Sequence, residues 1–505
     1  MKRTVSSVLC IAILITCLAL SLSSCAKLGI SAVNRLQGKD RAAAVLLRMS
    51  LAIGKAGSYT TDSVSDLSVT FSNGKKLVTH AEQSDTIVLD GADTKARHRE
   101  MTNKVIFDGE QTVADQAVTF ADGKLSVRSD SNGVKIFSAA DAETAKYFFG
   151  EDKDNTVKTD DLDLDDASVF NCGYEEGKGW TISLSGFSGK TLDTFADSLD
   201  GLDDYLEGFS LTDVAIEMTV SESFLPSSVS AEYIFGSDDP EATDVTLPTV
   251  KSTQTMRDFG KAKVEHDLTG FTDVGDISML KKISSTLDDA KDADKGSFDL
   301  KVRTSSKYNH STNNYWENDT VSFDAKKPGF TYTVTAETHE KLKITLTYAD
   351  GTRTQKVRAM PGSQYAGYSF NTQKVKQSED EAKAFVFGLL CSGNFDDFNI
   401  SSVSLTNETG SQKTYKLTVG KTDASPFEAA LKQYGVSEED ANIEAYFSVV
   451  FDGDKLVSVS YSNSCSGQDS NGYEFSITIT SKVENLTWSN ENKNPPDSPE
   501  TGVEM

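Results

Sequence analysis

Eight Asn-Gly or Asp-Gly pairs cut the chain into short alternating runs: Asn73-Gly74, Asp90-Gly91, Asp108-Gly109, Asp122-Gly123, Asn132-Gly133, Asp350-Gly351, Asp452-Gly453 and Asn471-Gly472. These dipeptides accept the positive φ angles of a type I′ turn, whose twist matches two flanking antiparallel strands. The runs between them alternate apolar and polar, as in Leu67–Phe71, Phe298–Val302, Ile344–Tyr348 and Phe475–Ile479, so one face of each strand packs and the other meets water. Only 9 of the 505 residues are proline, which suits long ladders that need their N–H donors. The expectation is a sheet built of successive hairpins.

The pattern occurs twice. Asp141–Gly150 resembles Asp380–Gly388, two aromatic-rich helical stretches ending at glycine; Phe120–Gly123 matches Tyr348–Gly351, and Trp180–Leu184 matches Tyr415–Val419. The matches keep one order, and the spacing between copies drifts only by loop-sized steps. Each copy opens with a helix. Ala42–Ala56 puts Val45, Leu46, Met49 and Ala52 on one stripe, and Ile277–Ala290 does so with Leu280, Ile283 and Leu287. Each then carries an inserted amphipathic helix between strands. Leu192, Phe195, Leu199, Leu202 and Leu206 make the first stripe; Phe427, Ala430, Leu431 and Tyr434 make the second. Ser425-Pro-Phe-Glu428 reads as a capping box before it, and Gly435 as its stop. Two strand pairs follow, Asp213–Val220 with Ser228–Ile234 and Ile443–Phe451 with Leu456–Tyr461.

The first 25 residues supply an address. Lys2 and Arg3 precede an apolar stretch, Val8–Leu20, too short to span a bilayer comfortably, and Leu22-Ser23-Ser24-Cys25 closes it. This resembles the bacterial lipobox, which implies cleavage before Cys25, acylation of its thiol by chains such as palmitate, and anchoring on the extracytoplasmic face of the cell membrane. Cleavage removes two cations and no acid from a chain of formal charge −26, leaving −28. So acidic a body is repelled by an anionic bilayer surface and poorly suited to nucleic acid. Cys10 and Cys17 leave with the signal peptide; Cys172, Cys391 and Cys465 remain, an odd number with room for one Cys391–Cys465 disulfide.

Helix, long antiparallel strands, internal helix and further strands behind a lipobox resemble the lipoprotein-localisation superfamily of LolA-like and LppX-type domains. The resemblance implies an α+β fold of two tandem incomplete antiparallel β-barrels, highly curved sheets each closed by helices. Its divisions would be a signal peptide over 1–24, a tether over 25–40, repeats over 41–268 and 269–489, and a tail of disordered composition over 490–505. It further implies a cleft between sheet and inserted helix, lined by Leu192, Phe195, Leu199, Leu202, Leu206, Phe427, Leu431 and Tyr434, for a lipid or other apolar ligand. The alternative is that these stripes complete packed cores and the protein is an envelope scaffold or regulator.

Recognisable catalytic chemistry is missing. His80, His98, His266, His310 and His339 show no metal-binding spacing; Gly173–Lys178 lacks the length and the hydroxyl of a P-loop; Ser72-Asn-Gly-Lys75 sits on a hairpin tip. Asp152–Asp166 offers oxygen ligands for calcium but not the EF-hand order. Ser498–Gly502 resembles a sortase signal without its apolar span. The expectation is a membrane-tethered, non-catalytic binding protein with no cofactor and no bound metal.

Overall fold

The computed structural model describes residues 29–71, 74–90, 93–150, 166–197, 199, 206, 208–238, 246–291, 293–325, 329–390, 395–422 and 424–489. Cys25, Cys391, Leu202, the acidic residues 152–165 and the tail from 490 lie outside them, and with them the lipobox; Cys465 is a buried free cysteine, so the Cys391–Cys465 disulfide that the sequence allows is not made. The chain divides into two compact units, with the change-over between Phe271 and Thr272.

In the first unit, α1 (Ile30–Val33) and α2 (Gly38–Ala56) precede β1 (Ser58–Thr70), β2 (Lys76–Asp90), β3 (Asp93–Phe107), β4 (Glu110–Ala121), β5 (Lys124–Ser129) and β6 (Val134–Ala139). After α3 (Ala142–Phe148) come β7 (Val169–Glu175), β8 (Gly179–Ser185), α4 (Gly189–Asp197), β9 (Phe209–Val220), β10 (Pro226–Ser237) and β11 (Thr249–Arg257). The eleven strands lie in the order β6-β5-β4-β3-β2-β1-β11-β10-β9-β8-β7.

The second unit repeats this plan. It runs through α5 (Ser278–Lys291), β12 (Lys295–Tyr308), β13 (Ser311–Asp324), β14 (Thr331–Thr338), β15 (Leu342–Ala349), β16 (Thr352–Ala359), β17 (Gln373–Lys376) and α6 (Glu379–Leu390). Then follow β18 (Ile400–Thr409), β19 (Gln412–Val419), α7 (Glu428–Tyr434), β20 (Asn442–Asp452), β21 (Lys455–Gln468) and β22 (Glu474–Ser489). Its order, β17-β16-β15-β14-β13-β12-β22-β21-β20-β19-β18, is the first order shifted by one unit. In each unit the first and last strands pair at the middle, and two meanders run outward from them. The result is two large curved antiparallel sheets, neither closed into a barrel among the described residues.

Turn chemistry explains the hairpins. Asp108-Gly109, Asp122-Gly123 and Asp350-Gly351 take positive φ at both positions, as a type I′ turn demands. The β12–β13 hairpin makes the same turn from Asn309 and His310, with φ of 42° and 73°, so a search for Asx-Gly passes over it. Helix starts are capped where short polar side chains stand free of the ladders. Asp141 accepts from Thr144 N at 2.7 Å, and Ser378 and Glu381 form a reciprocal capping box at 3.1 and 2.8 Å. Where the sequence places the start of the second inserted helix, Ser425–Phe427 forms a 3-10 turn preceded by Ala424, and α7 begins at Glu428. Helix α2 also starts earlier than its apolar stripe, at Gly38.

The core of the first unit joins Ala42, Val45, Leu46 and Met49 of α2 to Val214, Ile216 and Met218 of β9 and Val229 and Ala231 of β10. Trp180 is fully buried, donates from Nε1 to Asn34 Oδ1 at 2.9 Å and stacks on Phe224 with centroids 4.6 Å apart. Arg41 ties α1 and α2 to β7 through the carbonyls of Asn34, Leu36 and Cys172.

Candidate functional site

The inserted helices sit where the sequence places a ligand cleft, and their side chains are buried. In the first unit Phe195 is 1 % exposed and meets Phe187 edge-on at 5.2 Å; Leu199 and Leu206 join the same cluster and Leu192 packs against it half-buried. The described helix, α4, ends at Asp197; Leu202 lies outside the described residues. Asp166 holds its start, accepting from Thr191 N at 3.3 Å and Thr191 Oγ1 at 2.7 Å. In the second unit Phe427 (1 % exposed) and Leu431 pack on Cys465 and Phe475, and Tyr434 stacks between Tyr308 at 5.0 Å and Phe475 at 4.8 Å. Burying such side chains contributes about 1.5–3 kcal/mol each, so both stripes work as core.

The middle of each inner face, meaning the face that carries the buried side chains, is polar instead. In the first unit it holds Thr61 and Ser63 of β1, Gln83 and Asp85 of β2, Arg97 and Arg99 of β3, and Ser252 and Gln254 of β11, all buried. Register brings them together: Thr61 faces Asp85, Asp85 faces Arg99, and Ser63 faces both Gln83 and Gln254. Asp85 accepts from Arg97 Nε at 2.9 Å and Nη2 at 2.6 Å, and from Arg99 Nε and Nη2 at 3.1 and 3.0 Å. Arg99 Nη1 also reaches the Phe149 carbonyl at 2.6 Å, and both guanidiniums lie over the Phe149 ring. Burial pushes the Asp85 carboxyl up, but the two guanidiniums outweigh it and hold it down to about 2.

In the second unit two apolar clusters, one around Phe298, Phe330 and Val386 and one around Phe427 and Phe475, leave a polar stretch on the same inner face. Tyr315, Glu317 and Asp319 alternate along β13; Tyr315 Oη donates to Glu317 Oε2 at 3.1 Å. Val302, Thr304, Ser306, Ile477 and Ile479 remain half-buried beside them. Burial and the neighbouring Glu317 push the Asp319 carboxyl up to about 7.

The polar residues of both faces escape sequence reasoning because their meaning lies in cross-strand register. An Asp and two Arg on separate strands look like ordinary surface charges.

The five histidines do not converge. His80 bonds Asp66 at 2.8 Å, His98 bonds Thr119 and His266 bonds Ser126, all outside the inner faces; His339 lies beside the rings of Tyr315 and Trp316. Among the described residues no group of three His, Cys, Asp or Glu could hold a metal. Gly173–Lys178 forms the β7–β8 hairpin, with Lys178 on Glu175 at 2.7 Å. Burial pushes the Cys172 thiol up to about 11, which makes it an inert one.

No family model matches the chain, and no curated protein does. Among solved structures, a DUF1329 family protein from Desulfovibrio piger is 8% identical, over 42% of this chain and 93% of its own, with a TM-score of 0.15. A DUF3598 family protein from Nostoc punctiforme is 6% identical, over 86% and 98%, with a TM-score of 0.12. The Pseudomonas aeruginosa protein OccK5 (OpdH) is also 6% identical, over 85% and 98%, with a TM-score of 0.12. Likenesses this low carry no argument about this chain.

Proposed function

We propose that the protein is a lipid-tethered, non-catalytic binding protein on the extracytoplasmic face of the cell membrane. Its two units act as incomplete barrels closed by their helices, and the face between sheet and helix takes an amphiphilic ligand such as a lipid. One observation supports this most: the inner face of the second unit stays half-open between two apolar clusters, with Val302, Thr304, Ser306, Ile477 and Ile479 only partly covered. A face with apolar ends and a polar middle suits a molecule with both kinds of surface. Anchoring rests on Cys25 and its lipobox, since two or more acyl chains hold a protein durably where one does not.

Native mass spectrometry of protein purified without detergent tests the reading. Co-purifying lipid, or uptake of a fluorescent fatty acid, is the expected result. Its absence on both counts would favour an envelope scaffold, a reading supported by the complete burial of Phe195 and Phe427 and by the acidic charge.

A further inference from the structure

Tyr315, Glu317 and Asp319 occupy alternate positions of β13, so they share the inner face with successive side chains about 7 Å apart. Exposure falls along this row. Asn313 is exposed, Tyr315 and Glu317 are half-buried, and Asp319 is 7 % exposed, so the row leads inward from the hairpin end. The cross-strand neighbours carry no charge: Leu300 and Val302 on β12, Ala336 and Thr338 on β14. The nearby Lys301 and Lys482 stand on the opposite face, where both pair with Glu484. Among the described residues neither Glu317 nor Asp319 is paired with a lysine or arginine, and Asp319 Oδ1 is buried without a hydrogen-bond partner. Buried carboxylates are ordinarily partnered. The Asp319 carboxyl meets the Glu317 carboxyl alone, and a donor carrying positive charge would satisfy both.

We propose that Tyr315, Glu317 and Asp319 form a binding site for the ammonium group of an amphiphilic primary amine. The site rests on the inner face being a ligand surface and names the polar group that surface takes. An ammonium has three N–H donors, enough for Asp319 Oδ1 and the Glu317 carboxylate together, and such charge-assisted bonds are about twice as strong as neutral ones. Tyr315 steadies Glu317 through its hydroxyl, and burial keeps that phenol protonated by pushing it up to about 12. The half-buried Val302 and Ile479 offer apolar surface to the alkyl chain. A hard divalent ion fits less well, because it needs six or more oxygens and no metal-holding group stands here among the described residues.

Burial of the pair sets the pH dependence. With Asp319 pushed up to about 7, the carboxyl pair holds a proton that the ammonium must displace. Binding therefore tightens as pH rises, by about tenfold between pH 6 and 8. The other titratable groups facing the row are Glu340, which acts on Tyr315, and His339, whose ring lies 6.3 Å from that of Tyr315. His339→Gln removes that ring, and the pH dependence that survives the substitution belongs to the carboxyl pair.

Isothermal titration of the full mature chain with n-octylamine, octanol and octanoate at pH 8 and pH 6 tests the site. The expected result is at least a tenfold preference for octylamine over octanol at pH 8, about tenfold weaker amine binding at pH 6, and loss of the preference in Glu317→Gln and Asp319→Asn. Glu317 is half-exposed, so its variant is informative even if Asp319→Asn disturbs the fold. Equal binding of octylamine and octanol, or a preference that survives both substitutions, overturns the ammonium site while leaving the ligand face intact. Failure of all three probes to bind overturns both.

Discussion

Replacing Asp85 by asparagine removes one negative charge and leaves Arg97 and Arg99 facing each other without it. Asp85 is 1 % exposed, Arg97 3 % and Arg99 8 %, so water cannot take over the solvation of the guanidiniums. Four donor contacts of 2.6–3.1 Å converge on this carboxylate. Removing one partner of a buried pair costs about 3–5 kcal/mol, because the surviving charge is stranded. At about 2–4 °C per kcal/mol for a domain of this size, the thermal transition of the first unit should fall by about 6–20 °C. Differential scanning calorimetry of the full chain reads it, with the transition of the second unit as internal reference.

The same register supplies a repair. Counting from the start of the first strand in each unit, Thr61 corresponds to Phe298. Asp85, Arg99 and Arg97 then correspond to Val321, Val334 and Tyr332. The second unit builds the identical place from apolar side chains. Replacing a buried ionic cluster by packed apolar residues is often neutral or stabilising. Asp85→Val, Arg97→Tyr and Arg99→Val together should therefore recover most of the loss, to within about 2 kcal/mol of the natural chain; the Phe149 carbonyl, deprived of Arg99, accounts for about 1 kcal/mol. An Asp85→Asn protein within 1 °C of the natural chain would refute the reasoning, and so would a triple variant as unstable as the single one.

Other outcomes follow from the same contacts. Asp85 is held below its unfolded value, so its contribution is present above about pH 4 and fades as pH falls toward 2; Asp85→Asn should flatten the acid limb of the stability curve. Asp319 is the opposite case, a carboxyl raised above its unfolded value. Its unit should lose stability as pH rises from about 4 to 7, and Asp319→Asn should abolish that slope in urea titrations. Phe427→Ala empties a site 1 % exposed and should cost about 3–5 kcal/mol in the second unit, read by chemical denaturation. Cys25→Ser should move the protein from the membrane to the soluble fraction and abolish palmitate labelling, read by detergent phase partition.

Local signals in the chain reported the local structure well. Period-two runs mark strands, and Asp-Gly pairs mark tight turns because few other residues accept two positive φ angles in a row. Where the signal was weaker, so was the reading. Asn309-His310 makes the same turn without glycine, and the helix start read at Ser425 is a 3-10 turn over Ser425–Phe427. The inner-face polar residues were illegible for a different reason. Arg97 and Arg99 look identical to surface arginines until β2 and β3 are set in register, at a sequence separation no periodicity spans.

That difference between topology and register bears on what a repeated plan can do. The two strand orders coincide element by element, yet the corresponding inner positions hold Asp85, Arg97 and Arg99 in one unit and Val321, Tyr332 and Val334 in the other. By the same correspondence Gln83 in the first unit stands where Asp319 stands in the second. Strand order is fixed by hairpin turns and by the pairing of first and last strands, both of which tolerate any inner-face chemistry that satisfies its own charges. The first unit clamps one carboxylate between two guanidiniums under Phe149, a cluster of net positive charge, and leaves Gln254 Oε1 without a hydrogen-bond partner on the same face. The second leaves a carboxylate oxygen unsatisfied beside a half-open tract. A ligand that completes hydrogen bonding gains most where the protein has left it incomplete, so the two units should differ in binding despite their common fold. The second is the one whose occupancy should respond to pH.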